Sequence, residues 1–126
     1  MHTFKTSYRV YYEDTDAGGV VYYANYLKFA ERARTDYLRE KGINQSSLVA
    51  EQGIVFVVHA VEAQYHAPGR LDDLLDVTAS IAEIKNTSLT MQQEISTGGK
   101  KLCSISTRIV CVNREMKPTR LPDIFN

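Results

Sequence analysis

The chain has 126 residues, and fifteen Lys and Arg side chains balance fifteen Asp and Glu, so the formal net charge is zero at neutral pH. That length suits one compact domain spanning residues 1–126, and the balance excludes the broad positive field that draws a protein to nucleic acid or anionic lipid. No apolar run is long enough to cross a bilayer, and MHTFKTSYRVYY lacks the basic-then-apolar pattern of a secretion signal, so the expected compartment is the cytoplasm.

Thr6 to Tyr12 is short and rich in aromatic and β-branched residues, which predicts a first strand. It runs into DTDAGGVVYYANY, from Asp14 to Tyr26, a stretch of acids, adjacent glycines and tyrosines. From about Asn25 to Lys41 the residues Tyr26, Ala30, Ala33 and Tyr37 recur at helical spacing, flanked by Leu27, Phe29 and Leu38. Lys28, Glu31, Arg32, Arg34, Arg39 and Glu40 fall mostly between them, so the expected helix has one buried and one solvated face, and Gly42 stops it.

After Gly53 four stretches read as strands: Ile54 to His66, Leu74 to Ile84, Ser88 to Thr97 and Lys101 to Val112. The second alternates most clearly, with Leu75, Val77, Ala79 and Ile81 on one face and Asp76, Thr78, Ser80 and Ala82 on the other. Gly98-Gly99 is a two-residue hairpin signal, and Lys85-Asn86-Thr87 makes a turn between the two strands before it. The expected architecture is α+β, one strand, one long helix and then a four-stranded meander, with the helix laid on an antiparallel sheet. One helix cannot cover five strands, and uncovered edges and faces predict a homo-oligomer, a dimer or a homotetramer.

Cys103 and Cys111 lie eight positions apart in one expected strand, roughly 26 Å, too far for a disulfide. They alternate in phase with Ile105 and Ile109, which predicts buried free thiols rather than nucleophiles. His2, His59 and His66 show no metal-ligand spacing with Cys or acids, and no metal is expected. No G-x-S-x-G occurs, so nothing points to a serine hydrolase.

The Asp14 to Tyr26 stretch carries the chemistry. Asp and Gly are ordinary turn residues, and a solvated acidic loop is the simplest account of them. Val20, Val21, Tyr22, Tyr23 and Tyr26 argue against it, because such apolar company is odd in a wet loop. A loop that enters apolar surroundings and ends at a helix start can present free backbone N–H groups beside a carboxylate. That pairing suits acyl chemistry: the N–H groups hold a carbonyl oxygen as it gains charge, while the carboxylate attacks the carbonyl or takes a proton from water.

Tyr11-Tyr12-Glu13-Asp14-Thr15-Asp16-Ala17-Gly18-Gly19-Val20-Val21-Tyr22-Tyr23-Ala24-Asn25-Tyr26, continued by Phe29-Ala30-Glu31-Arg32-Ala33-Arg34, closely resembles the signature of the hotdog-fold acyl-CoA thioesterases. Within them it is similar to the YbgC group, related to 4-hydroxybenzoyl-CoA thioesterase. Leu71-Asp72-Asp73-Leu74-Leu75 and Lys117-Pro118-Thr119-Arg120-Leu121-Pro122 resemble features of the same group.

The resemblance implies a five-stranded antiparallel sheet wrapped around one central helix, and hydrolysis of an acyl-CoA with no cofactor, since coenzyme A is part of the substrate. It implies Asp16 as the catalytic carboxylate, nucleophile or general base. The Tyr23 N–H then polarises the thioester carbonyl, Gly19 shapes the loop, and Val21, Tyr22 and Asn25 line the substrate. Tyr23 stands where the group commonly carries His, and the implied contribution there is the backbone N–H. Glu13 and Asp14 are expected to face solvent, and Glu31 to make a structural ion pair with Arg32 or Arg34.

Lys85, Asn86, Thr87 and Ser88 are the implied contacts for the nucleotide part of coenzyme A, with Arg70 and Arg120 as weaker options. A second reading, a docking protein for acyl carrier protein or Tol-Pal envelope partners, follows from the group's associations. A third, a hydratase or dehydratase, needs a His beside an acid, and no His stands in the Asp14 to Tyr26 motif.

Overall fold

The computed structural model describes residues 3–125. Strand β1 (Phe4–Arg9) leads through a 3-10 turn (Tyr12–Asp14) to helix α1 (Asn25–Glu40) and a short second helix, α2 (Gln45–Gln52). Strands β2 (Val55–Tyr65), β3 (Leu74–Ile84), β4 (Ser88–Thr97) and β5 (Lys100–Val112) follow, and a second 3-10 turn (Asp123–Phe125) closes the described chain.

All five strands form one antiparallel sheet in the order β1-β3-β4-β5-β2. The expected four-stranded meander is therefore corrected. Only β3, β4 and β5 run as successive hairpins; β2 crosses over to the far side of β5, and β1 adds to the free side of β3. The β4–β5 connection is the two-residue turn read from sequence, with Gly98 at φ +54 and Gly99 at φ +82, the doubly left-handed backbone that glycine adopts without strain.

The first strand ends at Arg9 rather than Tyr12, because Tyr12 to Asp14 coil into the 3-10 turn. No element is named from the sequence between Gly42 and Gly53, where helix α2 lies. It is short, and Leu48 is its one buried residue, so no apolar stripe announces it. Its ends did carry signals: Asn44 accepts the Ser47 N–H at 3.2 Å, and Gly53 closes the helix at φ +67.

Leu75, Val77, Ala79 and Ile81 point inward from β3, as the alternation predicts, and α1 lies across β1, β3 and β4. The core divides along α1 into two clusters. Tyr26, Phe29, Ala30 and Ala33 pack with Val10, Val21, Val77, Ile95 and Leu102 around the first half of the helix. Tyr37 and Leu38 pack with Leu48, Leu89, Met91, Ile109 and Phe125 around the second. Cys103 belongs to the first cluster and Cys111 to the second; both thiols are free, and burial pushes each up to about 11. Gln93, 1% exposed under α1, is satisfied by donating to the Ala30 carbonyl at 2.9 Å and accepting from Arg34 at 3.1 Å.

Candidate active site at the start of the long helix

Thr15 and Val21 pair as a one-bridge antiparallel ladder, and the Asp16 N–H donates to the Val20 carbonyl at 2.9 Å. Ala17, Gly18 and Gly19 make the tip of this small hairpin. Gly19 donates to the Asp16 carbonyl at 3.0 Å and sits at φ +79, so the loop is a three-residue connection finished by a left-handed glycine. Gly18 donates its N–H to Asp16 Oδ1 at 2.8 Å, and a Cβ at Gly18 would stand only 3.2 Å from that oxygen. The two glycines thus let the backbone fold back onto the Asp16 carboxylate, which is solvent-exposed and accepts one hydrogen bond through Oδ1.

The hairpin delivers the chain directly into α1. The Tyr22 carbonyl accepts the Asn25 N–H at 2.8 Å, which makes Tyr23 and Ala24 the first residues of the helical turn. Ala24 supplies no side-chain cap. Among the described residues the Tyr23 N–H meets no acceptor, so it is one of the unpaired donors at the positive end of the helix.

Beside it opens a cleft of about 330 Å³ lined by Val21, Tyr23, Tyr26, Tyr65, His66, Ala67 and Pro68. Its wall is aromatic: Tyr23 meets Tyr65 edge-on at 6.1 Å, and Tyr26 lies 5.7 Å from Tyr65. Burial raises the phenols of Tyr26 and Tyr65, keeping both neutral. The Tyr22 phenol is raised mainly by its hydrogen bond to Tyr23, whose ring lies 4.9 Å away. The buried Tyr26 hydroxyl accepts the Gly69 N–H at 2.9 Å, and Val21 donates to the Gly69 carbonyl at 2.8 Å, so the segment after β2 is fastened to the helix start. Of Tyr65 to Gly69, only His66 is weighed from the sequence, and not as part of this cleft. They reach the site because β2 ends beside α1, which no local pattern reports.

Two expectations about neighbouring acids are corrected. Asp14 does not face solvent: it is 9% exposed, and its Oδ2 accepts the Tyr11 N–H at 2.8 Å. Glu13 is exposed, as expected. Glu31 makes no ion pair with Arg32 or Arg34 among the described residues; its carboxylate accepts the Thr35 hydroxyl at 2.6 Å instead. Glu31 and Arg34 line a separate, more enclosed cavity of about 160 Å³ between α1, β2, β4 and β5. Burial lowers the Arg34 guanidinium from its ordinary value, and Glu31 partly offsets that.

Not all of the sequence-derived site residues come together. Val21, Tyr22 and Tyr23 cluster at the hairpin, and Asn25 stands next to them with its side chain buried. Lys85, Asn86, Thr87 and Ser88 occupy the β3–β4 turn, at the other end of a β3 strand about 33 Å long. That turn is tied to the C-terminal segment, whose Leu121 donates to the Asn86 carbonyl at 3.0 Å, and to β5, whose Cys111 donates to the Thr87 carbonyl at 2.8 Å. Lys85 is exposed, with Glu83 at 3.9 Å, and Ser88 is buried. Arg70 lies nearer the hairpin, bridged to Val20, while Arg120 is exposed beside Asp123 at 3.9 Å.

His66 contacts Ser104 Oγ through Nε2 at 3.0 Å, and His59 lines a groove on the other face of the sheet with Thr87, Ser88 and Arg108. His2 lies outside the described residues. Among the described residues no three His, Cys, Asp or Glu side chains converge as metal ligands would.

Comparison with known proteins agrees with this fold. Residues 18–104 match the Thioesterase superfamily. The chain is 46% identical over 121 residues to the acyl-CoA thioester hydrolase YbgC of Escherichia coli O6:H1, covering 94% of this chain and 90% of the relative. It is 42% identical over 120 residues to the acyl-CoA thioesterase YbgC of Haemophilus influenzae, covering 94% and 88%. The crystal structure of a probable thioesterase from Bartonella henselae superposes with a TM-score of 0.91 at 36% identity, over 96% of this chain and all of that one. A five-stranded antiparallel sheet with a long helix laid across it is thus the hotdog fold, and the chain belongs to the thioesterase superfamily.

Proposed function

We propose that the chain hydrolyses acyl-CoA thioesters to the free acid and coenzyme A, with Asp16 and the Tyr23 N–H as the reacting pair. The observation that carries this is the single hairpin that holds an accessible carboxylate just ahead of an unpaired amide at a helix start. The Tyr23 N–H receives the thioester oxygen as it becomes an oxyanion. As general base, Asp16 takes a proton from water while the water oxygen bonds to the carbonyl carbon; the C–S bond then breaks and the sulfur leaves as the coenzyme A thiol. As nucleophile, Asp16 bonds to that carbon itself, the C–S bond breaks and the sulfur leaves as thiolate that takes a proton from solvent, and water then cleaves the mixed anhydride to the free acid and the restored Asp16 carboxylate.

The names of the relatives from E. coli and H. influenzae support the same substrate class. The test is thiol release from short, long and aromatic acyl-CoAs. Asp16→Asn should fold and bind substrate as the parent does but turn over roughly 10²- to 10⁴-fold more slowly. A parental rate would end the proposal. Absence of thiol release from every acyl-CoA, with retention of acyl carrier protein on the immobilised chain, would favour the docking reading instead.

The working unit in this reading is a homo-oligomer. Strand β2 has β5 on one side only, its free edge runs for 11 residues, and Val58, Val61 and Tyr65 are exposed along it. Such an edge is normally closed by another strand, and a second copy of β2 satisfies it by symmetry. A partner copy also gives the distant Lys85 to Ser88 turn a route to the same coenzyme A. Sedimentation that finds only monomers at enzymatic concentrations would remove both points. Two reduced thiols fit the cytoplasm, and no described helix is long and apolar enough to cross a membrane.

A further inference from the structure

The two carboxylates of Asp14-Thr15-Asp16 are in opposite situations. Asp16 is exposed at the hairpin, whereas Asp14 is buried at its base, where Tyr11, Tyr22 and Asn25 are fastened to it. Its Oδ2 accepts the Tyr11 N–H at 2.8 Å, and the Tyr11 carbonyl accepts the Asp14 N–H at 2.9 Å, which locks the 3-10 turn. Its backbone carbonyl accepts twice, from the Tyr22 N–H at 2.9 Å and from Asn25 Nδ2 at 3.2 Å. The Asn25 amide is 8% exposed, and this bond is, among the described residues, the one side-chain hydrogen bond joining the Tyr11 to Asp16 segment to α1.

We propose that Asp14 and Asn25 are positioning residues: together they set the separation between the Asp16 carboxylate and the Tyr23 N–H. The inference rests on the reading of Asp16 and Tyr23 as the reacting pair. Asp16 follows the brace by two residues, and Tyr23 sits between the two residues that donate to the Asp14 carbonyl, so play in the brace becomes misalignment of the pair. Displacement of about 1 Å can cost on the order of 10²-fold in rate. What the brace needs from the Asp14 side chain is an acceptor oxygen, not a charge. Asn25 acts here by donating inward to Asp14 rather than by touching substrate.

The experiment measures kcat, KM and the pH-rate profile on an acyl-CoA that the parent hydrolyses, with circular dichroism to verify folding. Asn25→Ala and Asp14→Ala should lose about 10- to 100-fold in kcat, with KM within about threefold of the parent. Asp14→Asn keeps an acceptor toward the Tyr11 N–H and should stay within about threefold in kcat, with the parental pH profile. Should Asp14→Ala fail to fold, Asp14→Asn and Asn25→Ala still decide. Parental kcat in Asn25→Ala overturns the proposal, and so does an Asp14→Asn enzyme that is folded but as slow as Asn25→Ala. Asp16→Asn run alongside separates the failures: if it keeps the parental rate, the reacting pair itself is wrong, whereas a slow Asp16→Asn with a fast Asn25→Ala rejects the brace alone.

Discussion

The two helices end differently. At the start of α2 the Asn44 side chain accepts from Ser47, and at its finish Gly53 turns left-handed and donates to the Val49 carbonyl at 2.9 Å. Helix α1 finishes as tidily: Gly42, at φ +91, donates to Arg39 at 3.0 Å, and Ile43 donates to Leu38 at 2.8 Å. Its start has no side-chain cap, and there the Tyr23 N–H stays unpaired, among the described residues, beside the Asp16 hairpin. Three ends follow the rules that stabilise helices, and the fourth departs from them beside the proposed site. An uncapped start forgoes about 1 kcal/mol of local stability and leaves a donor free, the one that receives the oxyanion in the proposed reaction.

The sharpest way to break this contrast is to delete the open donor. Tyr23→Pro removes the N–H at the first position of the helical turn, where proline is well accepted, and should lower kcat by about 10²- to 10³-fold in the thiol-release assay. Tyr23→Phe keeps the amide and the ring and should stay near the parental rate. Equal rates in the two variants would mean that the amide is a bystander.

The closed ends should answer in stability and not in rate. Gly53→Ala carries a left-handed backbone cost and drives a Cβ to 2.7 Å from the Arg114 side chain, so it should cost about 2 kcal/mol or more in urea unfolding. Gly42→Ala meets nothing within 4 Å and should show only the backbone cost of about 1 kcal/mol. Asn44→Ala removes the α2 cap and should likewise cost about 1 kcal/mol. Any of these three that slowed turnover tenfold while remaining folded would erase the distinction between the helix ends.

The smallest effect concerns the thiols. Burial holds Cys103 and Cys111 near 11, so both remain neutral and unreactive at pH 8, where an exposed cysteine is already partly thiolate. Iodoacetamide at pH 8 should label neither in the native protein and both after unfolding in urea, as mass spectrometry would show. The same burial keeps the enzyme's own thiols out of a thiol-release signal.

Much of this was legible in the residues. The spacing of Tyr26, Ala30, Ala33 and Tyr37 marked α1 and its buried face, the alternation in β3 marked the inward row, and Gly98-Gly99 marked the hairpin. Each is local, because helix and strand periods are written in consecutive positions. Helix α2 escaped notice because one buried leucine makes no periodic stripe, though Asn44 and Gly53 were signals of its ends.

Strand order escaped for a different reason. Alternation says which face of β2 turns inward but not which strand lies beside it, and the pairing with β5 depends on where the whole chain can bury its apolar faces. The different situations of Asp14 and Asp16 were hidden in the same way. Both are aspartates in one acidic run, and only the folding of residues 11–16 against Tyr22 and Asn25 buries the first while the glycine hairpin exposes the second. Sequence alone therefore determined helix α1, the five strands and the family likeness, because these reside in neighbouring residues. Which residues share the cleft with Tyr23, which acid is buried and which strands lie at the edges were settled by tertiary packing, since each depends on contacts between segments far apart in the chain.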